Sequence, residues 1–125
     1  MTGAAPHKRS DRVGERIRAE LMEMITRGAL RDPGLTSCFV TEVKMTEDLH
    51  FARVYVRSLL TTEVSAADRD KVIAGLGRAA GYIRRELGPR LKLKYHPELK
   101  FFWDDNVDRA RRVEELLHEI KEEAP

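Results

Sequence analysis

Six cations crowd into the stretch from Leu76 to Lys94: Arg78, Arg84, Arg85, Arg90, Lys92 and Lys94, opposed by Glu86 alone. The local net is +5, while the whole chain carries only +2. Positive charge is therefore concentrated rather than spread, the footprint of a surface that meets phosphate. Gly75, Gly77 and Gly81 are interleaved with these cations, and a bare glycine lets a sugar-phosphate chain come close to the backbone. A second cluster, Lys8, Arg9, Arg12, Arg16 and Arg18 against Asp11 and Glu15, surrounds the start of a predicted helix. Cations there oppose the helix macrodipole, so stability alone does not select them, and they form a second candidate phosphate contact. The plain alternative for the Leu76–Lys94 cluster is solvated surface charge, with glycines that merely let a neighbouring helix pack close.

Other chemistries find less in the chain. Gly75-Leu76-Gly77-Arg78-Ala79-Ala80 matches the dinucleotide pattern G-x-G-x-x-A, but that pattern must follow a strand and open a helix, and here it lies inside a helix already begun at Ser65. A nuclease needs clustered carboxylates for metal ions. The dense group, Asp104, Asp105 and Asp108, sits where a helix start favours negative charge. Cys38 is the single cysteine, and His7, His50, His96 and His118 show no ligand spacing with it or with each other, which argues against a disulfide framework or a zinc site. On an apolar strand Cys38 reads as a small buried hydrophobe. Tyr55, between Arg53 and Arg57, is either a stacking platform for a base or an amphipathic strand tyrosine. No catalysis, cofactor or metal is expected.

The elements that must position the cations follow from periodicity. At 125 residues, 42% hydrophobic and 35% charged, the chain suits one domain with a large wet surface. It holds no run of about 18 apolar residues, and Met1 to Arg9 lack an apolar signal region; a cytoplasmic location without membrane contact is expected. Residues 1–8 read as a mobile arm. Ser10 or Asp11 is expected to cap a first helix with Val13, Ile17, Leu21, Met24 and Ile25 on its apolar face, stopped at Gly28. After the turn Arg31-Asp32-Pro33-Gly34, Cys38–Val43 and Phe51–Val56 read as a hairpin joined by Thr46-Glu47-Asp48. Ala52, Val54 and Val56 share one of its faces, and Arg53, Tyr55 and Arg57 share the wet one.

A capping box at Ser65 and Asp68 opens a long helix whose core face is Val72, Ile73, Leu76, Ala79, Ala80, Ile83 and Leu87. Ala74, Gly77, Arg78, Gly81 and Arg85 fall on the opposite, outward face. Its glycines predict a bend near Gly81 that bares backbone N–H groups, and Gly88-Pro89 predicts its end. Leu91, Leu93 and Tyr95 then alternate with Arg90, Lys92 and Lys94 in an extended segment, and Leu99–Trp103 forms a third strand. The tail from Asp104 sets eight acidic residues against four basic ones, with an apolar stripe of Val113, Leu116, Leu117 and Ile120. An acidic helix is expected over Asp108–Glu123 within a tail of residues 105–125.

Four stretches resemble the bacterial ribosome-binding factor A family, covering roughly residues 9–104. They are Arg9-Ser10-Asp11-Arg12-Val13 followed by Ile17; Arg31-Asp32-Pro33; the hairpin from Val43 to Val56, the most specific of the four; and Pro97 to Asp104. The resemblance implies an α+β fold of the type-II KH-like class, ordered helix, strand, strand, kinked helix, strand. In it Ala79-Ala80-Gly81 stands where other KH domains carry a Gly-x-x-Gly loop. Gly34 departs from the family, which often has a basic residue there. The implied function is a non-enzymatic factor in late maturation of the small ribosomal subunit, which binds precursor rRNA and assists its processing without cleaving it. A monomer is expected, with rRNA and the free small subunit as partners. The candidate contacts are Lys8, Arg9, Arg12, Arg78, Ala79, Ala80, Gly81, Arg84, Arg85, Arg90, Lys92 and Lys94. The rival reading is a protein-interaction module whose glycine-lined helix face receives a partner helix.

Overall fold

The computed structural model describes residues 8–35, 37–58 and 64–105. Helix α1 is Arg9–Thr26, a 3-10 turn Pro33–Leu35 follows, and strands β1 (Cys38–Met45) and β2 (Phe51–Ser58) form the expected hairpin. Helix α2, Ala66–Leu91, crosses over to β3, Glu98–Trp103. The sheet order is β1-β2-β3, with β1 antiparallel and β3 parallel to β2. Helix α1 packs over β1 and α2 over β3, and the two helices touch each other. The expected arm beyond Lys8 and the expected acidic helix lie outside the described residues.

The core repeats the apolar spacing of the sequence. From α1, Ile17, Leu21, Met24 and Ile25 meet Val40 and Val43 of β1, Ala52, Val54 and Val56 of β2, Leu76, Ile83 and Leu87 of α2, and Leu99 and Phe101 of β3 in one cluster. Gly14 sets the closeness of α1 to the sheet, because a Cβ there would stand 2.6 Å from the Val43 carbonyl oxygen. Gly28 stops α1 as expected. It adopts φ +73°, its N–H donates to Ile25 O, and the Ala29 N–H donates to Met24 O, the paired bonds of a Schellman cap.

Several local expectations are corrected. Neither Ser10 nor Asp11 caps α1: Lys8 is the N-cap residue, without a side-chain hydrogen bond, and Ser10 is buried in the first turn. Helix α2 runs without interruption through Ala79-Ala80-Gly81, where the sequence predicts a bend, and Gly81 has no positive φ. No unpaired N–H groups are therefore bared there. Pro89 does not end the helix. It forfeits only its own bond one turn from the terminus, and the steric restriction on the preceding residue is relaxed because Gly88 has no Cβ. The end comes at Lys92, with φ 52° and its N–H on Gly88 O. The chain consequently bends at Lys94 and Tyr95 instead of running extended. Arg57 is also dry, 8% exposed, with Nη1 donating to the Asp104 carbonyl. A bulge in β1 between Val40 and Glu42 gives Thr41 the position from which its Oγ1 donates to Asp104 Oδ2. Asp104 is thus a buried structural carboxylate, and Asp108 of the same acidic group lies outside the described residues.

Candidate nucleic-acid interface

Ser65 Oγ accepts the Asp68 N–H at 3.1 Å, fixing the start of α2 and with it the rotation of the helix over β3. The outward face is the one that the sequence places there: Ala74, Gly77, Arg78, Gly81 and Arg85 are all exposed. A Cβ added at Gly77 or Gly81 would meet nothing within 4 Å, so the absent side chains serve no packing among the described residues. Arg85 has no partner among the described residues. Arg78 is 71% exposed and only loosely drawn to Asp32, at 3.6 Å. Gly75, in contrast, is buried, and a Cβ there would come within 2.9 Å of Asp32 Oδ2.

The other predicted contacts separate by what they touch. Ala79 and Ala80 are half-buried against the core. Arg84 is also half-buried, with Nη2 donating to His96 O at 3.1 Å, so it braces the loop after α2. Arg90 is enclosed by Glu20 at 2.9 Å, Glu23 at 3.5 Å and Glu86 at 3.7 Å. The hydrogen bond that it donates to Glu20 pushes its pKa further above the ordinary arginine value, against the desolvation of burial. Its carbonyl accepts from Arg16, and the residue clamps α2 to α1 with most of its charge compensated. Lys8 is bonded to Glu47 at 2.7 Å; the hydrogen bond raises the lysine pKa and lowers that of the carboxylate, and the pair ties the start of α1 to the hairpin turn. Arg9 and Lys92 are exposed without a partner among the described residues, Arg12 is exposed, and Lys94 lies over the Tyr95 ring at 5.5 Å.

A feature that periodicity missed lies on the face of the sheet away from the helices. Lys44 pairs with Arg53, and Arg53 with Lys100, so three cations cross all three strands in one row. In the next row Glu42, Tyr55 and Phe102 are paired, with the two rings 5.7 Å apart and tilted by 30°. Tyr55 is therefore already covered on one side by Phe102. The alternation of β2 pointed Arg53 outward, but the row needed the parallel β2–β3 register, which no local pattern carries. Cys38 is 3% exposed, and burial pushes its thiol up to about 12, as its position on an apolar strand suggests.

The chain matches the family model described as ribosome-binding factor A over residues 9–117. It is 41% identical over 115 residues to a ribosome-binding factor A of Sorangium cellulosum, covering 92% of this chain and 90% of the relative. One from Citrifermentans bemidjiense is 42% identical over 113 residues, covering 90% and 91%. Among solved structures, a Thermotoga maritima protein assigned to ribosome-binding factor A superposes with TM-score 0.68 at 28% identity, over 85% of this chain and 96% of that one. The Thermus thermophilus crystal structure shares the fold, with TM-score 0.61 at 24% identity over 74% and 93%. Among the described residues no helix is long and apolar enough to cross a membrane.

Proposed function

Because the chain belongs to the ribosome-binding factor A family, we propose that it is a non-enzymatic, monomeric, cytoplasmic factor that binds precursor rRNA of the small ribosomal subunit and assists late assembly and processing. The observation that carries this reading is the outward face of α2. Arg78 and Arg85 are exposed there beside Gly77 and Gly81, whose bare backbone faces open space. Backbone and charge are thus available together, the combination that lets a phosphate chain lie flat on a helix. Since α2 is unbroken, the contacts come from side chains and close approach instead of from free N–H groups. The strand order and the parallel return of β3 support placing residues 9–104 in the type-II KH-like class, with Ala79-Ala80-Gly81 at the loop position.

The acidic stretch 105–125 is then a docking or regulatory segment that phosphate repels. The glycine face also suits a partner helix, the second reading, because none of the described residues covers Gly77 or Gly81. Salt separates the two: phosphate contacts release counterions and weaken steeply as salt rises, whereas an apolar groove responds little. The test is binding to purified free small subunits across a salt series. Arg78→Gln with Arg85→Gln is expected to lower the slope of log affinity against log salt by about one unit per lost phosphate contact. An unchanged slope and affinity would overturn the proposal.

A further inference from the structure

Three separated segments meet at the end of the domain where α1 begins. Arg9 from α1, Leu49 from the hairpin turn, and Leu93, Lys94 and Tyr95 from the bend after α2 line a cleft of about 170 Å³. Leu49 and Leu93 are half-buried and make an apolar floor. Tyr95 is 54% exposed, the largest exposure among the big apolar and aromatic side chains of the described residues. His50 meets its ring at 4.9 Å and a 59° tilt, so it props the ring without stacking flat on it.

The walls are held from several directions. Leu49 adopts φ 64°, a left-handed conformation that a bulky side chain rarely takes and that persists only where its surroundings fix it. Around it, Asp48 Oδ1 accepts from the Thr46 hydroxyl at 2.6 Å and from the His50 N–H at 3.0 Å, and the Glu98 N–H donates to His50 O at 2.8 Å. Lys8 is bonded to Glu47, which holds the N-cap residue of α1 against the same turn. Arg9 has no partner among the described residues. The positive end of α1, which lacks a side-chain cap, adds to its charge.

We propose that this cleft receives one unpaired nucleotide of the bound RNA, with its base against Tyr95 and its flanking phosphates on Arg9 and Lys94. The proposal rests on the RNA-binding reading and deepens it. The chemistry is divided as a nucleotide divides it: an aromatic face and apolar floor for a planar base, and two cations for the charge beside it. The volume lies below the ~300–1,000 Å³ of pockets that hold drug-sized ligands, so it suits a single ring system. Lys94 now lies over the Tyr95 ring, an exposed cation–π contact and therefore a weak one. A base takes that place, and the long lysine stem turns to the phosphate. A base paired within a duplex cannot reach the floor, so the cleft selects unpaired RNA.

The test uses the full chain with short oligoribonucleotides carrying one 2-aminopurine, either single-stranded or annealed into a duplex, whose fluorescence is quenched when the base stacks on an aromatic ring. Tyr95→Ala is expected to lower single-strand affinity roughly 5- to 150-fold, the range for losing one base–aromatic stack, and to abolish the quench. Tyr95→Phe keeps the ring and is expected to restore both. Arg9→Gln is expected to reduce the single-strand salt slope by about 0.7 while leaving the quench of bound RNA in place. Duplex binding is expected to match that of the natural chain in Tyr95→Ala and Tyr95→Phe and to fall in Arg9→Gln only by the loss of one phosphate contact. Wild-type affinity and quench in Tyr95→Ala, with binding still lost in Arg78→Gln/Arg85→Gln, would overturn the cleft proposal and leave the RNA reading standing. If the natural chain binds neither the oligonucleotides nor free subunits, the RNA reading itself fails. Loss of subunit binding in Tyr95→Ala without any quench in the natural chain would assign the cleft to a ribosomal protein and overturn it.

Discussion

Gly81→Ala is expected to make the domain more stable and its RNA binding weaker. Gly81 is exposed in the interior of α2 without a positive φ, and an added Cβ meets nothing within 4 Å. Neither strain nor a clash opposes the substitution. What remains is helix propensity, about 0.8–1 kcal/mol in favour of alanine, much of it through the entropy of the unfolded chain. For a chain of this size that corresponds to a rise in Tm of about 3–4 °C. The same methyl projects from the face where Arg78 and Arg85 are exposed and stands between the backbone and a phosphate chain.

Thermal melting and subunit binding at fixed salt are therefore expected to move in opposite directions. Gly77→Ala shares the face and the open space, so it is expected to behave alike. Gly75→Ala is not a neutral control, since its Cβ would press on the Asp32 carboxylate at 2.9 Å. Gly28→Ala serves instead: at φ +73° alanine is strained and lowers stability by about 1 kcal/mol, while no atom on the α2 face changes. Its binding, measured below its melting range, is expected to match that of the natural chain. If Gly81→Ala gains stability and binds with unchanged affinity, close approach to the α2 backbone plays no part, and the contact surface must lie elsewhere.

Further outcomes follow from the packing and the charges. Gly14→Ala drives a Cβ to 2.6 Å from a backbone carbonyl, which cannot swing aside, and is expected to cost at least about 1–3 kcal/mol by urea denaturation. Asp104→Ala removes the buried carboxylate that accepts from the Thr41 hydroxyl, leaving that hydroxyl the Tyr55 carbonyl at 3.2 Å, and is expected to cost about 1–3 kcal/mol by the same measurement. The Cys38 thiol, raised by burial from 9.0 to about 12, is expected to resist alkylation in the folded protein at pH 8 and to react on unfolding. Because the unfolded chain loses that proton first, stability is expected to fall as pH rises from about 9 toward 12, and Cys38→Ala is expected to remove that component of the alkaline slope. Asp48, whose pKa is lowered by the hydrogen bond from Thr46 and then by the His50 N–H, contributes stability present above its unfolded pKa and lost as pH falls through the folded value. Asp48→Asn is expected to flatten that part of an acid titration followed by circular dichroism.

The elements were legible where a side-chain period repeats, and the site was legible only as a composition. The apolar spacing of α1 and α2, the alternation of β2 and the stop at Gly28 each rest on a rule spanning a few residues, so they appear in the sequence before any tertiary contact is known. The cations of residues 76–94 are equally visible, but their division is not. Arg84, Arg85 and Arg90 look alike within seven residues of chain, yet Arg84 braces the His96 carbonyl and Arg90 is enclosed by Glu20 and Glu23 of α1, while Arg85 alone of the three points away from the domain. That division depends on Pro89 remaining inside the helix. Had α2 ended at Gly88, Arg90 would have joined Lys92 and Lys94 on an extended edge and Glu20 would have lacked its partner. One missing Cβ, at Gly88, thus decides whether a cation serves the fold or faces a ligand. The Tyr95 cleft has the same origin. It exists because the chain leaves the helix at Lys92, in a left-handed conformation, and turns back across the hairpin, a closure between residues more than forty apart that no local pattern encodes.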